Sequence, residues 1–260
     1  WAPARVKTPL VFGHEFCGEV VAAGPAARGF KPGDFVSVES HVFCGLCREC
    51  RNGQSHVCGK LQIIGIDRPG GFAEYASVPA RCAWKHSDAS LRDVGSLLEP
   101  LGNAVYATLV EEVVGKSVLV TGCGPQGLFA VQVAKASGAR PVVAVEGSPY
   151  RRKLALKVGA DAVLDPAEPG IADKARKALG SPSGADVALE MSGSPKAVAL
   201  ALALLRNGGR LTAFGIPSGE IPIRWAQDVV FKGIRIHGIV GREIYRTWHT
   251  MDRLLNSGLV

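Results

Sequence analysis

Ser117-Val-Leu-Val-Thr121, then Gly122-Cys-Gly-Pro-Gln-Gly127, then Leu128 to Ala136, is the stretch that decides the fold. Its opening is an apolar, partly β-branched run of strand length, and its close carries apolar residues at helical spacing. Between them stands G-x-G-x-x-G, a signal that means little alone and much between a buried strand and a helix. Gly122 permits a tight turn, Gly124 lets backbone approach a pyrophosphate, and Gly127 lets the helix pack closely on the strand. The helix N-terminus then offers N–H groups and a positive dipole end to phosphate oxygens. Glu146 ends the next apolar run, Val142 to Glu146, where a carboxylate binds adenosine ribose hydroxyls. The stretch predicts a dinucleotide site. Glu146 repels a 2′-phosphate and so favours NAD, whereas Arg151 and Arg152 just beyond it could attract one.

Downstream the same grammar continues. Strands are expected at Ala162 to Leu164, Val187 to Glu190, Arg210 to Gly215 and Arg235 to Ile239, with helices such as Tyr150 to Val158 and Pro195 to Leu205 between them. Six strands alternating with helices imply a doubly wound parallel sheet of the Rossmann type over residues 103–260. Upstream, residues 1–102 read as short strands and loops. Strands are expected at Glu19 to Ala22, Phe35 to Glu39 and Phe72 to Val78, punctuated by Lys31-Pro-Gly-Asp34 and Pro69-Gly-Gly71. Asn103 to Glu112 reads as the helix joining the halves.

Cys44-x2-Cys47-x2-Cys50-x7-Cys58 places four thiols within 15 residues. Four thiolates with no open position make a structural zinc site, here a lobe over about residues 41–60. Arg48, Arg51 and Lys60 would offset its net negative charge. An iron–sulfur cluster is the competitor, but the fourth spacing is wrong for it and no Pro follows Cys58. Gly13-His14-Glu15, with Glu99-Pro100 far along the chain, is a weak signal in isolation. Together, imidazole and carboxylates suit a catalytic zinc with an exchangeable position.

The net charge of +7 comes from basic residues that form neither a block nor an aromatic-interleaved stripe, so nucleic acid is not the expected partner. No apolar run reaches the ~18 residues that spanning a bilayer needs. An odd seven cysteines without a secretory signal favour a reducing compartment, and metal ligation over disulfides.

These features, in this order, resemble the zinc-dependent medium-chain alcohol dehydrogenase family, and within it the branch that oxidises the β-hydroxyl of L-threonine. The likeness covers nearly the whole chain. It is carried by Gly13-His-Glu-Phe16, Glu39-Ser-His-Val42, Gly70-Gly-Phe-Ala-Glu-Tyr75, Glu99-Pro-Leu-Gly-Asn-Ala104, Glu190-Met-Ser-Gly193, Gly238-Ile-Val-Gly-Arg-Glu243 and Thr247-Trp248. The resemblance implies a partial GroES-like catalytic domain before the Rossmann domain. It implies His14 and Glu15 as catalytic-zinc ligands, and Glu99 as a swinging ligand or relay member. His41 would lie beside the substrate. Gln126, Glu146 and Arg151 would contact NAD, and Phe214-Gly215-Ile216 with Ile239-Val240 would wall the nicotinamide half. It further implies one structural and one catalytic zinc, a homotetramer and a cytoplasmic home. Two departures stand out: the family's upstream Cys-Gly-Thr-Asp stretch and its C-terminal segment are missing, so the chain reads as a fragment lacking both termini. Tyr106 stands where relatives carry His. The alternatives are a polyol or butanediol dehydrogenase of the same family, and a non-catalytic, zinc-stabilised NAD-binding protein.

Overall fold

The structure, a computed structural model, describes residues 5–87 and 89–260. It divides into two compact units, Trp1–Gly102 with Glu243–Trp248, and Asn103–Arg242 with His249–Val260.

The first unit holds β1 (Cys17–Glu19), β2 (Phe35–Val38), β3 (His41–Val42), the single-turn α1 (Arg48–Arg51), β4 (Gln62–Ile63) and β5 (Ala83–Lys85). β2 is the centre of an antiparallel β1-β2-β5 sheet, which is why all four of its residues are buried. β3 and β4 form a separate antiparallel pair. The Lys31-Pro-Gly-Asp34 turn is closed twice: Asp34 donates its N–H to the Lys31 carbonyl, and its carboxylate accepts the Lys31 N–H. Val38, Val42, Ile64 and Cys82 form the core, with Phe16 and Val78 against it.

The second unit follows α2 (Leu98–Leu109), which begins in the first. It contains β6 (Val118–Thr121), α3 (Pro125–Ala136), β7 (Val142–Val145), α4 (Pro149–Lys157), β8 (Ala162–Leu164), α5 (Ile171–Ala178), β9 (Ala185–Glu190), α6 (Pro195–Leu204), β10 (Leu205–Ala213) and β11 (Arg235–Gly238), and the end of α7 (Arg246–Asn256), whose start through Trp248 belongs to the first unit. The sheet order is β11-β10-β9-β6-β7-β8 and every pairing is parallel. This is the doubly wound Rossmann order, with its switch point between β6 and β9. Alternation along the strands sorts the core. Val118, Val120, Val142 and Ala144 pack with Ala130, Val131 and Ala134 of α3. Leu119, Val143 and Val145 face the other way, against Ala175, Ala201 and Leu202.

Three local expectations need correction. Phe72 to Val78 is not a strand: Phe72 is 80% exposed, Tyr75 is 72% exposed, and only the start of the segment pairs, through Phe72 N–H to the Phe12 carbonyl. The first strand lies earlier than Glu19 to Ala22, because the pairing with β2 runs from Cys17 to Glu19. The helix expected from Asn103 starts at Leu98, and Pro100 sits in its first turn, where its missing N–H costs nothing. Glu99 is therefore a first-turn helical residue.

Candidate active site and metal centres

His14 and Glu15 lie on a loop built by backbone close approach. Gly70, Gly71 and Phe72 donate their N–H groups to the carbonyls of Val11, Gly13 and Phe12 at 2.8–2.9 Å. A Cβ on Gly70 would stand 2.1 Å from the Gly13 carbonyl oxygen, so only glycine admits this clamp. Glu99, 4% exposed, comes from the first turn of α2. Ligand atoms of His14, Glu15 and Glu99 all lie within 4.8 Å of one another. One imidazole and two carboxylates at that spacing have the chemistry of a zinc site short of a closed shell. Beside them, Ser40 donates its hydroxyl to Glu99 Oε1 at 2.6 Å, and the same hydroxyl stands 3.1 Å from His41 Nδ1. Sequence reasoning placed His41 near this centre but passed over Ser40, Glu39 and the Gly70 clamp.

The four clustered cysteines also converge, with sulfurs within 4.8 Å of one another. Cys47 Sγ lies 3.4 Å from Cys50 Sγ and 3.7 Å from Cys58 Sγ. Zinc–thiolate bonds of about 2.3 Å in a tetrahedron require edges of roughly 3.8 Å, so the cluster fits the ion. N–H groups of Leu46 and Cys47 point at Cys44 Sγ, and those of Cys44 and Lys60 at Cys58 Sγ. The Leu46 and Cys47 N–H groups pull the Cys44 thiol down to about 6. Cys47 is held up at about 12: the Cys50 N–H favours its thiolate, but burial and the neighbouring Cys50 and Glu49 side chains win. Only a cation lets all four ionise together.

In the second unit, the residues expected to meet a dinucleotide sit at the C-terminal ends of the parallel strands. Gly122, at φ 87°, turns the chain after β6, and a Cβ on Gly127 would stand 1.9 Å from the Gly122 carbonyl oxygen. A Cβ on Gly124 would meet nothing within 4 Å, so the turn is open where a pyrophosphate would lie. Gln126 Oε1, in the first turn of α3, is buried with no hydrogen-bond partner among the described residues. An open cradle beside an orphaned buried acceptor fits a bound dinucleotide. Glu146 follows β7 and accepts N–H groups from Cys123 at 2.6 Å and Ser148 at 2.8 Å. The two arginines behind it part ways. Arg152 is occupied by Asp165 and by the Glu146 and Gly147 carbonyls, whereas Arg151 is exposed. Phe214 and Gly215 both donate to the Glu190 carbonyl, and Ile239 to that of Ala213, so both candidate nicotinamide walls hang from strand ends. Ile216 and Val240 project from these walls, at 70% and 55% exposed.

A family model described as zinc-binding dehydrogenase matches residues 125–257, and one described as alcohol dehydrogenase GroES-like domain matches residues 1–88. The chain belongs to the zinc-dependent medium-chain alcohol dehydrogenase family. The L-threonine 3-dehydrogenase of Pyrococcus abyssi (strain GE5 / Orsay) is 46% identical over 258 residues, 99% of this chain and 74% of that protein. Two solved structures are similar throughout. A zinc-binding dehydrogenase from Sinorhizobium meliloti 1021, bound to NADP, is 31% identical with TM-score 0.91, covering 98% of this chain and 75% of that one. A short chain alcohol dehydrogenase from E. coli CFT073, complexed with NADH, is 28% identical with TM-score 0.90, covering 99% and 75%. Among the described residues, no helix is long and apolar enough to cross a membrane.

Proposed function

We propose that the protein oxidises L-threonine at its β-hydroxyl to 2-amino-3-oxobutanoate, with NAD as hydride acceptor. The observation that carries the reading is the meeting of His14, Glu15 and Glu99 within 4.8 Å, in a chain this similar to an L-threonine 3-dehydrogenase. Residues 1–102 are assigned as the GroES-like catalytic domain and residues 103–260 as the NAD-binding domain. His14 and Glu15, with Glu99 as a weak or intermittent ligand, would hold a zinc ion, which when bound would supply Lewis-acid polarisation of the substrate hydroxyl. Glu99 takes part in removing the hydroxyl proton, and His41 borders the substrate. The Gly122–Gly127 turn and the N-terminus of α3 hold the pyrophosphate, and Gln126 contacts NAD through a donor group such as a ribose hydroxyl. Glu146 binds the ribose diol and, with Arg151 beside it, decides between NAD and NADP. Phe214, Gly215, Ile216, Ile239 and Val240 orient the nicotinamide. Cys44, Cys47, Cys50 and Cys58 hold a zinc that stabilises the lobe and takes no part in chemistry. The family resemblance adds a homotetramer, the cysteine usage a reducing compartment such as the cytoplasm, and the scattered basic residues speak against a nucleic-acid partner.

The test is NAD reduction by the zinc-loaded gene product with L-threonine, sorbitol and 2,3-butanediol. The highest kcat/KM is expected with L-threonine. Faster turnover of sorbitol or butanediol would move the protein to a polyol or butanediol branch. Tight NAD binding with no turnover of any alcohol would favour a non-catalytic binding protein.

A further inference from the structure

Glu39, just past the end of β2, is 1% exposed. A buried carboxylate is costly unless its oxygens are satisfied. Its Oε1 accepts the His41 backbone N–H at 2.9 Å and stands 2.9 Å from His41 Nδ1. Its Oε2 accepts the indole N–H of Trp248 at 2.7 Å. That indole is fully buried and stacked on Trp84, with ring centroids 5.5 Å apart, so Glu39 is anchored from behind.

His41 Nδ1 has a second neighbour, the Ser40 hydroxyl at 3.1 Å. That hydroxyl has one proton, and the proton is committed to Glu99 Oε1 at 2.6 Å. A carboxylate can only accept, so the Ser40 oxygen faces Nδ1 as an acceptor too. With acceptors on both sides, Nδ1 must carry a proton, which leaves the lone pair of the neutral ring on Nε2.

We infer that Glu39 is a positioning residue for the reaction: it fixes His41 as the Nδ1–H tautomer, and Ser40 ties that ring to Glu99 at the metal-binding group. The inference rests on reading this cluster as the dehydrogenase centre. It makes Nε2 the nitrogen through which His41 meets a substrate hydroxyl or its proton. A Glu39 that served only the core would hold Trp248 and leave the His41 ring indifferent to its charge.

The test is nitrogen-15 NMR of the His41 imidazole, in zinc-loaded and zinc-free protein, assigned by comparison with His41→Gln. Nδ1 is expected to resonate as a protonated nitrogen and Nε2 as an unprotonated one. Glu39→Gln should mix the two tautomers and lower kcat for L-threonine about 10–100-fold, the usual loss when a supporting partner is removed, with little change in KM. Ser40→Ala should keep the Nδ1–H spectrum and also lower kcat. An Nε2–H tautomer in the unsubstituted protein overturns the inference, as does an unchanged imidazole spectrum in Glu39→Gln. Unaltered kcat in Ser40→Ala overturns the tie to Glu99. If Glu39→Gln does not fold, the unsubstituted spectrum and Ser40→Ala still decide. Absence of threonine turnover beside the expected spectrum would sink the substrate reading and leave this one standing.

Discussion

Replacing Glu146 by Ser removes a carboxylate that does one job in the fold and has a second in the proposed function. In the protein alone it satisfies the N–H groups of Cys123 at 2.6 Å and Ser148 at 2.8 Å. Each N–H left without an acceptor costs about 1–3 kcal/mol, with the lower end suited to the part-buried Ser148 N–H. We therefore expect a loss of roughly 2–4 kcal/mol, which for a unit of this size lowers Tm by roughly 5–15 °C. The second job is recognition. In that role each charge-assisted hydrogen bond to a ribose diol would contribute about 1.5–3 kcal/mol, so losing even one should lower NAD affinity about 10–150-fold. NADP affinity should hold or improve, because the repelling charge is gone and Arg151 is exposed to meet the 2′-phosphate. Arg152 should contribute nothing, since Asp165 and two carbonyls already occupy it. Calorimetric titration with NAD and with NADP, alongside thermal denaturation, reads both jobs. An unchanged ratio of the two dissociation constants would refute the recognition argument, and an unchanged Tm would refute the structural one.

Cys50→Ser should cost the protein its tightly held zinc and lower Tm and solubility before it alters NAD affinity, checked by metal analysis and titration. Iron and labile sulfide in the unsubstituted protein would instead identify a cluster. His14→Ala should lose a second zinc while keeping the cysteine-bound one, with turnover falling to background. Glu99→Gln should keep both metals and lower turnover more than NAD binding, as zinc content and steady-state kinetics will show. The Arg235 guanidinium, at 3.0 Å and 3.2 Å, and His237 at 2.9 Å hold the Glu111 carboxyl down at about 2. A depressed carboxylate contributes stability that is present above its ordinary value of 4.5 and is lost as pH falls toward 2. Glu111→Gln should therefore lower stability at neutral pH and flatten its acid limb over that window, with the two proteins converging near pH 2 in urea melts.

What the sequence disclosed about the fold followed from constraints that act over a few residues. Gly122 and Gly127 are dictated by a turn and a close approach inside one strand-turn-helix unit, so their spacing was readable. The cysteine lobe was readable for the same reason, since its four ligands lie between Cys44 and Cys58. The candidate catalytic group was different. His14, Glu15 and Glu99 meet only through the tertiary fold, and no local pattern pairs them; resemblance alone suggested it. Ser40 bonds Glu99 across 59 positions and Trp248 bonds Glu39 across 209, so neither partnership has a local sequence signature. Phe72 to Val78 has a β-like composition, but no described strand runs alongside it. Its glycine-led start instead clamps the Val11–Gly13 loop. α2 starts five residues before Asn103, with Pro100 in its first turn, where a helix tolerates it.

One local signal did lie unread. Glu39, Glu146 and Glu190 each close an apolar β run, and each is buried. All three accept the N–H of the residue two positions on: Glu39 from His41, Glu146 from Ser148 and Glu190 from Ser192. The geometry explains the residue type. The chain must turn sharply at the end of a buried strand, which leaves N–H groups without a strand partner, and a carboxylate reaching forward satisfies them. Glutamate then has a second oxygen to spend. Glu39 gives it to Trp248 and Glu146 to Cys123, while Glu190 directs both oxygens at Gly193. The loops that follow carry His41, the Gly147-Ser148 turn before α4 and the motif Glu190-Met-Ser-Gly193. A buried strand ending in glutamate is thus a readable mark of a loop whose backbone is fixed by its own first residue, and fixed loops are what a site that must orient a substrate and a dinucleotide requires.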